Sequence, residues 1–517
     1  MNGNAGTGQQ LLASRQNLID TARSLMGLTA STQRAALQML ATAAVMAVLA
    51  DLLFNGGSIG VNLVIWQSAL ILGVTFCSVS AGRRIGFSRR ALLVCSLGFA
   101  ALTAVRAAPW LQALDVAMAA LFLLLGLALP RASRLRQIGP LPLTLALIGG
   151  VVSLVAAALC CVKVIRWTDA LAGRARDDAL IIGRAFLVSV PVLVVFGGLF
   201  IAADAVFESK ARSLVDIGGD DLISHVLYLS AGFWVSMAAI WSGVAIEVPE
   251  DALADLPDER RPGAVELVIL LLPLAMLFLG FVLVQIQYLF GGRETVQDSL
   301  HLTYSEYARR GFFELVAVSS LLLPLLLIVK WARRSDRRSA GAFTLLALVL
   351  VLLLAVVMAS AWQRLGIYID ALGLTQLRFY VAATLVWLMV AFGWFLVCLF
   401  RPVGGLFLRG VAVAAVVVLV GLNLVNPDAL IARTNTSRLE HGRSFDVEHA
   451  SSLSADAVPV LVDRLDSLPE RDRCLLAQRL LKQWGDSDDG IRSFNLGRSA
   501  ARSSIEANRT PLEQACP

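Results

Sequence analysis

Charge is scarce in this chain. Asp, Glu, Lys and Arg make up 16% of its 517 residues, against about 25% in a soluble domain. Apolar residues account for 57%, 40 glycines come on top of them, and the mean hydropathy is +0.73. So little polar surface excludes a soluble enzyme or a secreted globular protein of this size. Lysine is nearly missing: four of the 44 basic residues are Lys (Lys163, Lys210, Lys330, Lys482). A net charge of +6 does not point to nucleic acid, because the arginines gather in short loops between apolar runs, the pattern of cytoplasmic loops in membrane proteins. No nucleic-acid partner is expected.

Catalytic signatures are lacking too. There is no Walker loop, no H-E-x-x-H, no G-x-S-x-G and no Gly-rich dinucleotide turn. There is no C-x-x-C and no Cys/His pair at zinc spacing. Cys77, Cys95, Cys160, Cys161 and Cys398 lie in apolar runs, Cys474 and Cys516 lie near the C-terminus, and no disulfide framework is implied. His441, Asp446, Glu448 and His449 fall close together but match no standard zinc pattern. The sequence therefore assigns no catalytic residue, no metal and no cofactor, and it leans away from an enzyme.

What is present is a series of apolar runs. About 20 such residues make a bilayer-spanning helix. Twelve candidates (11–13) fall at about 35–54, 59–79, 91–107, 110–129, 141–164, 184–203, 223–246, 264–290, 311–330, 341–361, 375–400 and 404–425. The predicted fold is an all-α polytopic membrane protein with a small helical C-terminal tail. Its parts are a polar N-terminal tail (1–34) without the apolar core of a signal peptide, an N-terminal bundle (35–165), a second bundle (166–425) and a soluble tail (426–517). Arg-rich loops at 83–90, 131–136 and 330–338 should be cytoplasmic. In the second half this puts 204–222, 291–310, 362–374 and the tail outside, and the N-terminus is expected inside. In the first half 131–136 and 163–184 both read as cytoplasmic, yet one run separates them, so the parity there stays open. Within the tail, 456–466 and 470–484 read as an amphipathic helical hairpin. Val458, Leu461, Val462 and Leu465 form one apolar face, and Leu475, Leu476, Leu480 and Trp484 the other.

Ionisable groups at membrane depth are costly and draw attention. The densest group flanks the loop 291–310: Tyr288, Tyr304, Glu306, Tyr307, Arg309, Arg310 and Glu314. Arg310 and Glu314 are i,i+4 and should pair. A second group is Arg364, Tyr368, Asp370, Arg378 and Tyr380; a third is Asp204 with Glu208; a fourth is Asp428 with Arg433. Candidate ligand-binding residues are Tyr304, Glu306, Tyr307, Arg310, Glu314, Arg378, Tyr380, Asp428 and Arg433. Arginine offers forked donors for phosphate or carboxylate, and tyrosine suits headgroup depth. The competing reading makes these groups ordinary polar helix ends.

Six stretches carry a resemblance: QIQYLFGG, TYSEYARRGFFEL, LGLTQLRFY, NPDALIARTN with LSADAVPVL, and IRSFNLGRSAA. Over roughly residues 180–510 the chain resembles the bacterial multi-pass membrane proteins of domain-of-unknown-function family 4173 and its relative 4153. The 35–165 bundle carries no motif that matches. The resemblance implies a bacterial cytoplasmic membrane and no particular activity. Three functions stay open: binding or moving a small polar or anionic solute or a lipid headgroup at an outward-facing polar cavity, a membrane-embedded transferase or hydrolase acting on a lipid-linked substrate, and a regulatory or assembly subunit that meets a protein partner through its tail.

Overall fold

The computed structural model describes residues 33–82, 86–128, 153, 157, 220–244, 261–290, 312–401, 406–443, 445–485 and 490–516. Among these residues the chain is helical, with no strand. It divides into two compact units: Met1–Leu253 with Asp488–Leu496, and Ala254–Ser487 with Gly497–Pro517. The sequence-based boundary at 165/166 lies outside the described residues.

The first unit contains α1 (Gln33–Phe54), α2 (Val61–Ser80), α3 (Phe87–Leu102), α4 (Pro109–Ala128) and α5 (Asp220–Val244). Their apolar faces meet in a core that includes Ala43, Leu70, Val74, Met237 and Ile240. Small residues on α1 (Ala43, Ala47, Ala50) are buried, which lets neighbouring backbones approach closely, as membrane helices do. Large apolar side chains such as Leu72 and Phe76 face outward, where a bilayer rather than water would cover them.

One buried cation fixes a helix end. Arg89, near the start of α3, donates from Nε to the Gly126 carbonyl (2.7 Å) and from Nη2 to the Leu127 carbonyl (3.0 Å). These are among the last carbonyls of α4, which have no partner within their own helix, and a cation there also suits the helix dipole. Arg89→Ala should cost about 2–3 kcal/mol, the scale of a charge-assisted bond left unmade. Arg89→Lys should recover only part, since a single ammonium lacks the fork. Thermal unfolding in detergent measures this, and an unchanged midpoint for Arg89→Ala would dismiss the cap.

The second unit contains α6 (Ala264–Phe290), α7 (Phe312–Ala332), α8 (Arg337–Leu372), α9 (Gln376–Phe400) and α10 (Leu406–Val425). Their core includes Leu271, Leu326, Leu350, Leu354, Leu388 and Phe395. The outer part of this unit is built from α11 (Pro427–Ser437), α12 (Val447–Ser451), α13 (Val458–Asp463), α14 (Glu470–Trp484), α15 (Leu496–Ala507, from Gly497 onward) and α16 (Arg509–Gln514). Cys474 and Cys516 are joined by a disulfide, which corrects the expectation of no disulfide.

Eight described helices are long and apolar enough to cross a membrane, or nine if the pair bent by 53° at Asn426 counts as one span. The expected count of about twelve is not reached among the described residues. The runs 141–164 and 184–203 lie outside them, apart from the buried Ser153 and Ala157. The run 91–107 is a helix of 16 residues, 87–102, short of the usual span length. The stretch 362–374, read from sequence as a loop, is mostly helix, because α8 continues to Leu372. At 36 residues it is about 54 Å long at 1.5 Å per residue.

Both tail helices are present, but α13 packs mainly on α11 whereas α14 packs on α12 and α16, and one apolar face is shifted. On α14 the buried residues are Leu476, Ala477 and Leu480, while Leu475 is exposed.

Candidate functional site

Within the second unit, α6, α7 and α8 enclose a groove of about 550 Å³. Leu274 and Phe278 of α6, Leu315 and Leu322 of α7 and Val357 of α8 are among its walls. Among the described residues Arg364 is its one charged lining residue. The wall on α7 follows from sequence: Leu315, Val318, Leu322 and Leu325 recur at three- and four-residue steps and so share a face. Val357 and Arg364 are seven apart on α8, which sets the guanidinium about 10 Å farther along the axis. The result is an apolar slot with a cation toward one end. A second groove, in the first unit, is lined by α4 and α5 residues such as Leu121, Leu124, Val235 and Ala238 and has no charged residue among the described residues of its lining.

Around the far end of α8 the polar residues are knitted together. Asp428, in the first turn of α11, is fully buried. Its two oxygens each accept from Gln376 Nε2 at 2.9 Å, and Oδ2 also accepts from the Ser454 amide at 2.9 Å. Asn435, two turns along the same helix, exchanges two hydrogen bonds with the backbone of Leu374: it accepts from the amide at 2.9 Å and donates to the carbonyl at 2.8 Å. Arg438 donates to the Ile369 carbonyl and, at 3.3 Å, to the Ala371 carbonyl. Asp428, Asn435 and Arg438 thus hold the turn between α8 and α9. Gly373 in that turn has φ +84°, and a Cβ there would lie 2.9 Å from Asn435 Oδ1, so glycine serves both the conformation and the approach. Asn426 starts α11 with φ +57° and accepts from the Ala429 amide; asparagine tolerates this left-handed state better than most residues.

Of the nine candidate ligand-binding residues, Tyr304, Glu306, Tyr307 and Arg310 lie outside the described residues, as does the side chain of Glu314. Arg378 stacks on the Tyr368 ring at 4.0 Å and donates to the Gly373 carbonyl. Tyr380 meets Phe379 edge to face at 5.6 Å. Asp428 has the partners given above, and the Arg433 side chain is exposed. Gln376 joins Asp428 to the Arg378 end of α9; Arg433 is not drawn into that network. Asp446, once weighed for a metal, caps α12 through the His449 amide at 2.9 Å.

Gln376, Asn435 and Arg438 were not singled out from the sequence. A signal existed for one of them: Asp428 and Asn435 are seven residues apart, which on a helix sets them on one face.

A family model described as "Domain of unknown function (DUF4153)" matches residues 93–464. No curated protein and no solved structure matches the chain. The match identifies 4153, and a tie to 4173 stays unshown. It begins inside the N-terminal bundle, where no motif had been recognised, and it ends before IRSFNLGRSAA (491–501).

Proposed function

The chain belongs to the DUF4153 family, and on that premise we propose that it is a multi-pass membrane protein that binds an anionic amphiphile. The acyl chain occupies the groove between α6, α7 and α8, and a phosphate or carboxylate head meets Arg364. The observation that carries this reading is an apolar slot with a single charged residue among the described residues of its lining. Arginine presents five N–H donors, so it can hold such a head beside its other contacts. The segment joining α6 to α7 carries Tyr304, Glu306, Tyr307 and Arg310, with Glu314 just inside α7. We assign these to the headgroup side, with Arg378, Tyr380, Asp428 and Arg433 on the neighbouring elements.

We place the protein in a bacterial cytoplasmic membrane, with its N-terminus inside and its tail outside. Three features support the orientation. In the first unit, Arg89 and Arg90 begin α3, opposite the helix ends that receive residues 490–496. In the second unit, Arg333, Arg334, Arg337 and Arg338 lie at the other end of α8 from α11. The tail also contains a disulfide, a bond that persists in oxidising compartments.

Lipid extraction and mass spectrometry of the purified protein test the site. Arg364→Ala should lower the ratio of anionic to zwitterionic lipid retained by about tenfold, the worth of one charge-assisted contact of 1.4 kcal/mol or more. The same ratio in wild type and variant would end this reading. Loss of both lipid classes together would mean that Arg364 shapes the groove without selecting the head, and would also overturn it.

A further inference from the structure

Residues 490–496 belong to the first unit, apart in sequence from everything around them. Their hydrogen bonds run to helix ends. Asn495 Nδ2 donates to the Thr103 and Arg106 carbonyls at 2.9 and 2.8 Å. The Val61 amide donates to the Phe494 carbonyl at 3.0 Å, and the Leu496 amide donates to the Ala104 carbonyl at 2.8 Å. Arg492 Nη1 donates to the Leu52 carbonyl at 2.6 Å. The segment therefore lies across the end of α1, the start of α2 and the turn between α3 and α4. A Cβ at Gly60 would collide with the Phe494 carbonyl, so the close seat depends on that glycine.

The polarity of the segment is inverted. Ser493 and Asn495 are buried, whereas Ile491 is 93% exposed and Phe494 and Leu496 are exposed as well. A chain bathed in water would turn its Ile, Phe and Leu inward. Apolar side chains outside and amide groups inside suit apolar surroundings, where each polar group needs a protein partner. The neighbours continue the pattern. Ile59 precedes α2, and Trp110 opens α4; both are exposed. Leu114 and Leu121 carry the exposed apolar face down α4, a helix long and apolar enough to cross a membrane. Tryptophan at such a helix end marks the headgroup level, and Arg492 within the segment is exposed, suited to anionic headgroups.

We propose that residues 490–496 are an interfacial membrane element, which lays Ile491, Phe494 and Leu496 into the boundary between headgroups and acyl chains of the leaflet at that end of the first unit. The segment extends the lipid-facing surface of α4 past the helix end. It requires no bound ligand and is independent of the groove.

The test uses the full chain in nanodiscs, with Cys95, Cys160 and Cys161 replaced by Ser and the tail disulfide intact. Ile491→Cys and, separately, Phe494→Cys carry an environment-sensitive fluorophore; Asp466→Cys, exposed in the tail, is the reference. At 491 and 494 the emission should shift to the blue, and lipids bearing a nitroxide high on the acyl chain should quench it severalfold more than at 466. Iodide in the buffer should quench it severalfold less. Iodide quenching equal to that at 466 would put the segment in water and overturn the proposal. Protection from both quenchers would put protein over the segment and overturn it equally.

Discussion

Asp428→Ala is expected to loosen the α8–α9 turn and the start of the tail together. The carboxylate is fully buried and receives donors from Gln376 and Ser454. Its removal strands those donors, and a buried group left without its charged partner costs about 3 kcal/mol. Hydrogen exchange is the direct measure: the Ser454 amide should exchange about a hundredfold faster, the equivalent of that free energy. Asp428→Asn should be nearly as damaging. The donors of Gln376 and Ser454 share Oδ2, and Gln376 also reaches Oδ1. Asparagine replaces one of these acceptors with a donor, which then faces another N–H. A Ser454 amide that exchanges at the wild-type rate in Asp428→Ala would show that the carboxylate does not hold it.

The second large effect belongs to the Cys474–Cys516 bond. It closes a loop with a sequence separation of 42, for which the chain-entropy relation gives up to about 4 kcal/mol. Replacing both cysteines by Ser should lower the unfolding midpoint of the tail clearly and release α16 from α14, which limited proteolysis would detect near residues 509–516. The same bond reports orientation. In intact spheroplasts a membrane-impermeant maleimide should label these positions only after treatment with an impermeant reductant. Labelling without reductant would mean that the thiols are free. Labelling only after lysis would place the tail inside and reverse the proposed topology.

The membrane helices were legible because a span leaves a long apolar run, and the positions of α1, α2, α4 and α6 follow it closely. The end of α8 was not legible. Arg364 and Asp370 lower the local hydropathy, so the run stops near 361, yet the helix continues to Leu372. What sustains its last turn is remote: Arg438, just past the end of α11, binds the Ile369 and Ala371 carbonyls. The disulfide was hidden for a similar reason, since spacing alone does not reveal pairing between two distant cysteines. On α14 the periodic pattern was right but its phase was off, because Ala477, too small to stand out, takes the buried place given to Leu475. Among the candidate site residues, Arg378 and Asp428 were visible as charges near span ends. Their partners are a ring, a backbone carbonyl, a glutamine and an amide, groups that a search for opposite charges passes over. Arg364 was noticed as part of a polar loop, whereas its place on the groove wall depends on α8 still being helical there.

The length of α8 has a mechanical consequence. Its 36 residues exceed by about 24 Å the 30 Å or so of hydrocarbon they cross. The helix is therefore a mast as much as a span, with Arg438, just past α11, lashed to its last turn and Asn435 of α11 to the turn that follows. A rod about 54 Å long that tilts by roughly 10° moves its tip by about 9 Å relative to its foot. Because α8 also supplies Val357 and Arg364 to the groove, a pull on the tail would act on that wall as a lever, and a thicker or thinner bilayer would set the angle from which the lever starts.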